Sequence, residues 1–147
     1  MFRGINAINL DSKGRLAIPA RYRDGLGEQV VVTIDTEEAC LLLYPVLQWQ
    51  TIEDGLQRLP SFNAAARRIQ RLLIGHATDI TLDGNGRTLL PPLLRDYANL
   101  DKKVVMIGQG NKFEIWDEIS WQAKRELWLK EEASSEGLPD ELQTFFL

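Results

Sequence analysis

Residues 10–19 read LDSKGRLAIP and residues 82–91 read LDGNGRTLLP. Leu10, Asp11, Gly14, Arg15 and Pro19 recur as Leu82, Asp83, Gly86, Arg87 and Pro91, each 72 positions on. Widening the comparison to 8–24 against 80–96 adds Ile8/Ile80, Arg23/Arg95 and Asp24/Asp96, so 8 of 17 aligned positions are identical. Unrelated sequence would match at about one, and a fixed-period repeat takes precedence over any other reading of fold. Further on, Leu26–Val30 aligns with Leu100–Val104 once the second copy is allowed two extra residues. The original spacing then returns at Leu41/Phe113, Leu43/Ile115, Tyr44/Trp116 and Trp49/Trp121. The chain is one module written twice, with one compensated insertion.

Each copy has the same grammar. INAINL and ATDITL alternate apolar and polar residues, as a half-buried strand does. DSKGR and DGNGR are turn chemistry, in which Asp bonds the backbone ahead of it and Gly supplies a positive φ. RLAI and RTLL resume a strand, which predicts a hairpin. Pro19 and Pro91 are expected at the first position of a short helix, where the preset φ fits and the missing amide costs nothing. A strand pair follows in each half, VVVTI with CLLLY and VVMI with KFEIW, turning at Asp35–Ala39 and Gly108–Asn111. Pro45–Leu59 aligns Trp49, Ile52, Leu56 and Leu59 on one helical face. A linking helix is expected over NAAARRIQRLLIG, capped by Asn63 and stopped at Gly75, and a last helix behind Asp117 as N-cap. The expected organisation is repeat 1 over 5–47, a helical linker over 48–74, repeat 2 over 76–119, and a C-terminal helix with acidic tail over 120–147. In that tail Leu142, Phe145 and Phe146 are candidates for docking on a core or a neighbour.

Bulk properties set the class. A chain of 147 residues buries a core without covalent staples, and 44% hydrophobic with 26% charged residues is ordinary for a soluble domain. No apolar run approaches the roughly 20 residues of a membrane span, and MFRGINAINLDSKGR has no secretory signature. Cys40 is the only cysteine, which fits a reducing cytoplasm. The net charge is −4, yet residues 1–25 carry +3 and residues 131–147 carry −5. An acidic tail therefore sets the total while a basic face stays available for an anion.

The run NLDSKGRLAIPARYRDGLG resembles the AbrB-type DNA-binding module, the swapped-hairpin barrel of bacterial transition-state regulators and antitoxins. Two tandem copies joined by RRIQRLLIGHA resemble the MraZ family of bacterial transcriptional regulators, over roughly residues 1–130. The resemblance implies an α+β fold that is mainly β with helices. It is a pseudo-two-fold swapped-hairpin AbrB-like barrel made from the two repeats of a single chain and flanked by helices, whose closure removes strand edges. It further implies ring-shaped homo-oligomers that bind double-stranded DNA at short direct repeats. These lie upstream of the division and cell-wall gene cluster, and the family represses that cluster, its own gene included. A cytoplasmic, nucleoid-associated protein is expected, needing no cofactor, metal, membrane or small-molecule substrate.

The turn explains how such a module holds DNA. Lys13 and Arg15 project from one hairpin tip, and the planar guanidinium matches guanine O6 and N7 or two phosphate oxygens. Asp11, four positions earlier, orients Arg15 by a charge-assisted bond, while Gly14 lets the backbone approach the duplex. Arg87, with Asp83 and Gly86, is the second-copy counterpart, and Arg3 adds a further cation near the N-terminus. For an isolated copy, a surface ion pair that merely closes the turn is the stronger reading. Duplication and the family resemblance reverse that preference. Because Lys13 becomes Asn85 and Arg21 becomes Leu93, the first turn is expected to make the main contact.

Other residues read more plainly. Arg67, Arg68 and Arg71 form a helix face that suits solvent, a subunit contact or phosphate. Arg23 and Arg95, repeated in both halves, suggest a salt bridge supporting the barrel at least as much as readout of DNA, and the four tryptophans suit a core or subunit interface. His76 reads as a cap or packing residue and Cys40 as a small core residue. One His and one Cys exclude a zinc-finger site within one chain, and GQGNKFEI lacks the ending of a phosphate loop. Catalysis is not expected. The rival class is a non-catalytic protein-interaction scaffold built on the same barrel.

Overall fold

In the computed structural model, which describes residues 1–134, the two copies exchange their first strands. The first comprises β1 (Phe2–Asn9), β2 (Arg15–Ala17), α1 (Ala20–Leu26), β3 (Gln29–Ile34) and β4 (Leu41–Pro45). Two helices follow, α2 (Val46–Gln57) and α3 (Ala64–Leu73). The second copy comprises β5 (Thr78–Thr81), β6 (Arg87–Leu89), α4 (Pro92–Tyr97), β7 (Lys103–Gly110) and β8 (Phe113–Asp117), and α5 (Glu118–Ser134) closes the described chain.

A six-stranded sheet runs β1-β7-β8-β4-β3-β5, so the first strand of each copy pairs with the third strand of the other. Ile8 lies opposite Val104 and Ile80 opposite Val30, which is the alignment with the two-residue insertion repeated in space. The pseudo-two-fold is visible in the register. In the β2–β6 ribbon Leu16 faces Thr88, its own equivalent, and between β4 and β8 Leu42 faces Glu114, again its own equivalent.

Two expectations about strand pairing change. The strands flanking each turn do not ladder with one another: β1 pairs with β7, while three-residue β2 pairs with β6. The barrel's hydrogen bonding is also not continuous, because β1 and β5 end the large sheet and the β2–β6 ribbon forms a second one. Strands of three residues are too short to join both edges, so the ribbon completes the enclosure by packing. Leu16, Ile18 and Leu90 enter the same core as Val30, Val32, Leu41, Val104, Phe113 and Ile115. Each such buried apolar side chain contributes about 1.5–3 kcal/mol relative to an exposed one.

Period-2 alternation puts the other face of these strands under helices. Val31, Leu42 and Tyr44 receive Trp49, Ile52 and Leu56 of α2. Cys40, Val105, Ile107 and Trp116 lie under Trp121 and Trp128 of α5, with the Trp116 ring 5.7 Å and 5.9 Å from theirs. Both expected caps are present: Asn63 Oδ1 accepts from the Ala66 amide at 3.1 Å and Asp117 Oδ2 from the Ser120 amide at 3.0 Å. Pro19 and Pro91 sit one position earlier than expected, as N-caps with ψ of 137° and 147°. Helix α2 stops at Gln57, leaving Leu59 outside it. The tail residues Leu142, Phe145 and Phe146 lie outside the described residues. No helix among the described residues is long and apolar enough to cross a membrane.

Candidate nucleic-acid interface

The ribbon brings the two Asp-x-x-Gly-Arg turns side by side, since antiparallel pairing of β2 with β6 places Arg15 opposite Leu89 and Arg87 opposite Ala17. In the first turn Asp11 Oδ1 accepts from the amides of Lys13 and Arg15, both at 2.9 Å, and Oδ2 accepts from Arg15 Nε at 2.5 Å. The second turn repeats this bond for bond. Asp83 Oδ1 accepts from the amides of Asn85 and Arg87 at 2.9 Å, and Oδ2 from Arg87 Nε at 2.7 Å. Gly14 and Gly86 close the turns at φ of 84° and 71°, a region that disfavours any side chain.

Each arginine is thus oriented by its carboxylate through Nε, which leaves the terminal amino groups of the fork for other acceptors. Arg87 Nη1 also lies 3.9 Å from Asp11 Oδ2, which couples the two turns. The Arg15 amide, followed by its side chain and the Lys13 amide, holds the Asp11 carboxyl at about 2 against an ordinary 3.8. The Arg87 amide lowers Asp83 in the same direction. A depressed folded-state value stabilises the turn above the ordinary carboxylate range, and that contribution disappears as pH falls through the folded value. NMR titration of the Lys13 and Arg15 amides is therefore expected to show a midpoint near pH 2. A midpoint near 4, the ordinary Asp value, would mean that the carboxylate does not hold the turn.

The structure gathers Lys13, Arg15, Asp11 and Gly14 with Arg87, Asp83 and Gly86, but not Arg3. Arg3 faces Gln109 at the far end of β1, about 25 Å of strand away from the turn. Arg67, Arg68 and Arg71 lie on α3, where Arg67 and Arg71 are exposed and Arg68 is exposed beside them. Arg23 and Arg95 form no ion pair among the described residues; instead their Nε atoms donate to the carbonyls of Ile18 and Leu90, both at 2.9 Å. The support is a backbone bond rather than a salt bridge, because Asp11 and Asp83 already hold their own turns. His76 Nδ1 bonds the Leu72 carbonyl at 2.7 Å, as a capping residue does.

One neighbour of the first turn was hidden by sequence order. The Leu10 amide donates to the Lys102 carbonyl at 2.7 Å, and the Leu82 amide to that of Glu28 at 2.8 Å. The exchange thus places Lys102, a second-copy residue, beside the first turn and acidic Glu28 beside the second. The aligned pair Glu28/Lys102 carried this signal, a charge reversal at equivalent positions.

Asp35, Cys40 and Glu114 bring their ligand atoms within 4.8 Å of one another. The fully buried thiol donates to Asp35 Oδ2 at 3.7 Å, and Trp116 Nε1 donates to Glu114 Oε1 at 2.8 Å. Burial, reinforced by the two carboxylates, pushes the Cys40 thiol far up, which keeps it protonated and a poor nucleophile.

Exchanged strands, a central ribbon and twin carboxylate-held arginines define the class: a tandem swapped-hairpin protein in which one chain supplies both halves. The family described as "MraZ protein, putative antitoxin-like" matches twice, at residues 1–72 and 73–144, in step with the repeat. Among curated relatives, "Transcriptional regulator MraZ" of Legionella pneumophila (strain Corby) is 69% identical, covering 100% of both chains. Proteins of the same name from Alkalilimnicola ehrlichii and Coxiella burnetii (strain Dugway 5J108-111) are 56% and 54% identical, again over 100% of each chain. The chain belongs to the MraZ family.

Proposed function

We propose that the protein is a transcriptional regulator that binds double-stranded DNA in a sequence-specific manner through its paired turns. It acts as a repressor of the division and cell-wall gene cluster, its own gene included, from a cytoplasmic, nucleoid-associated pool. The observation that carries this reading is the pair of arginines held through Nε by Asp11 and Asp83, which leaves their terminal amino groups for an outside acceptor. The first turn carries Lys13 where the second has Asn85, and the backbone bond at its start is to Lys102 where that of the second is to Glu28, which supports the first turn as the main contact.

One subunit offers few phosphate contacts, and such contacts alone give weak, salt-sensitive binding. A ring of subunits displaying the same turn gains effective concentration, and direct repeats about 10 bp apart present the same groove face to successive subunits. Exposed apolar side chains outside the turns, Leu93 and Ile119 among them at 65% and 77% exposure, support such an assembly. The test is anisotropy with a direct-repeat promoter fragment and a shuffled fragment across a salt series, alongside native mass measurement. Preference for the repeats, a falling affinity with salt and a multi-subunit mass are expected. Equal affinity for both fragments would discard sequence-specific binding in favour of a protein-interaction scaffold.

A further inference from the structure

Gly14 and Gly86 are buried although they sit in otherwise exposed turns. What covers each is an arginine of the other copy. A methyl group placed on Gly14 would meet Arg95 Cζ at 2.6 Å and Nε at 2.7 Å, and one on Gly86 would collide with Arg23. The covering guanidinium is itself fixed. Arg95 Nε donates to the Leu90 carbonyl at 2.9 Å, and the Leu90 amide donates to the Gly14 carbonyl at 3.0 Å. The twin path runs from Arg23 Nε to the Ile18 carbonyl and from the Ile18 amide to the Gly86 carbonyl, both at 2.9 Å. Ile18 and Leu90 are fully buried, so both paths are anchored in the core.

We infer that support is crossed between the copies: Arg95 of α4 is the positioning residue for the Asp11–Arg15 turn, and Arg23 of α1 for the Asp83–Arg87 turn. Arginine suits the task because its plane lies flat on a glycine while Nε reaches a carbonyl; a lysine ammonium offers a point charge without the plane. Gly14 in turn is required twice, for its positive φ and for the space the guanidinium fills. Resting on the proposed DNA contact of the first turn, the inference makes Arg95, rather than Arg23 in the same copy as Arg15, the residue whose loss weakens the grip. Arg95 acts through the turn and not on phosphate.

The test uses the full chain as Arg95→Ala, Arg23→Ala and Arg95→Lys, with amide hydrogen exchange on the free protein and promoter anisotropy over a salt series. In Arg95→Ala the amides of residues 11–15 are expected to exchange about tenfold faster, the scale of one lost charged hydrogen bond, with residues 83–87 unchanged. Arg23→Ala gives the reverse. Arg95→Lys keeps a donor for the Leu90 carbonyl and loses the plane, so it loosens residues 11–15 to an intermediate degree and carries the comparison should the alanine variant fold poorly. Promoter affinity falls about tenfold in Arg95→Ala and less than about threefold in Arg23→Ala, with the salt slope unchanged in both.

Loosening of both turns, or of the turn in the arginine's own copy, overturns the inference. So does a salt slope reduced by about 1 in Arg95→Ala, which would make Arg95 a phosphate contact. The two readings fail separately. Crossed exchange in a protein that ignores the promoter sinks the DNA contact and leaves the crossed support standing; uniform loosening in a protein that selects the promoter does the opposite.

Discussion

Arg15→Ala is expected to weaken binding to a repeat-bearing promoter fragment by about 10- to 100-fold, the equivalent of about 1–3 kcal/mol for one bidentate contact. The loss exceeds that of Arg87→Ala because the first turn carries Lys13 where the second has Asn85, and it starts against the Lys102 backbone where the second starts against that of Glu28. Its orientation depends on a carboxylate that remains ionised at every physiological pH, so the fork is held in the same way throughout that range. If several subunits engage the DNA at once, the substitution disarms the turn in each of them. The salt slope then drops by about 1 for every phosphate that Arg15 no longer neutralises. Arg87→Ala, in the less basic turn, should weaken binding several-fold less. The fold should survive both changes, because a half-exposed ion pair contributes little to stability. A titration in which Arg15→Ala matches wild type would remove the first turn from the interface.

The largest effect on stability is expected from Phe113→Ala. Phe113 is fully buried, with its ring centroid 4.5 Å from that of Phe2 and 4.7 Å from that of Tyr22. Tyr22 in turn donates from its hydroxyl to the Arg3 carbonyl at 2.6 Å. The cluster therefore joins β8 of one copy to β1 and α1 of the other, across the exchange. Truncating the ring should cost about 3–5 kcal/mol, through lost transfer energy and a cavity bordered by Phe2 and Tyr22. A urea series should show an earlier midpoint at similar slope. A loss below about 1 kcal/mol would mean that those two rings collapse into the space.

Much of this was legible in the residues. The strands, the turn chemistry and the caps at Asn63 and Asp117 follow from local signals, because each depends on neighbours a few positions apart, and the repeat follows from identities at one fixed spacing. The exchange of β1 and β5 does not, since INAINL presents the same alternating face whether its partner is β2 or β7. Only in the folded chain is it seen that the eight residues of β1 ladder along all eight of β7, while β2 pairs over three residues with β6. For the same reason the Arg95–Gly14 and Lys102–Leu10 contacts could not be read from order along the chain. They join residues that only the exchange brings together. Arg3 shows the converse, a cation close in sequence to Arg15 that the extended strand carries away from it.

The register at the symmetry axis has a consequence for how such a protein can diversify. An association of two identical polypeptides must set every on-axis residue against itself, so a Glu there would confront a Glu at the distance where like charges repel. Fusing the halves lifts that constraint: Leu42 meets Glu114, and Leu16 meets Thr88. Tethering thus allows the two halves to carry different residues at one and the same place on the axis, an asymmetry that no homodimer of the module can encode.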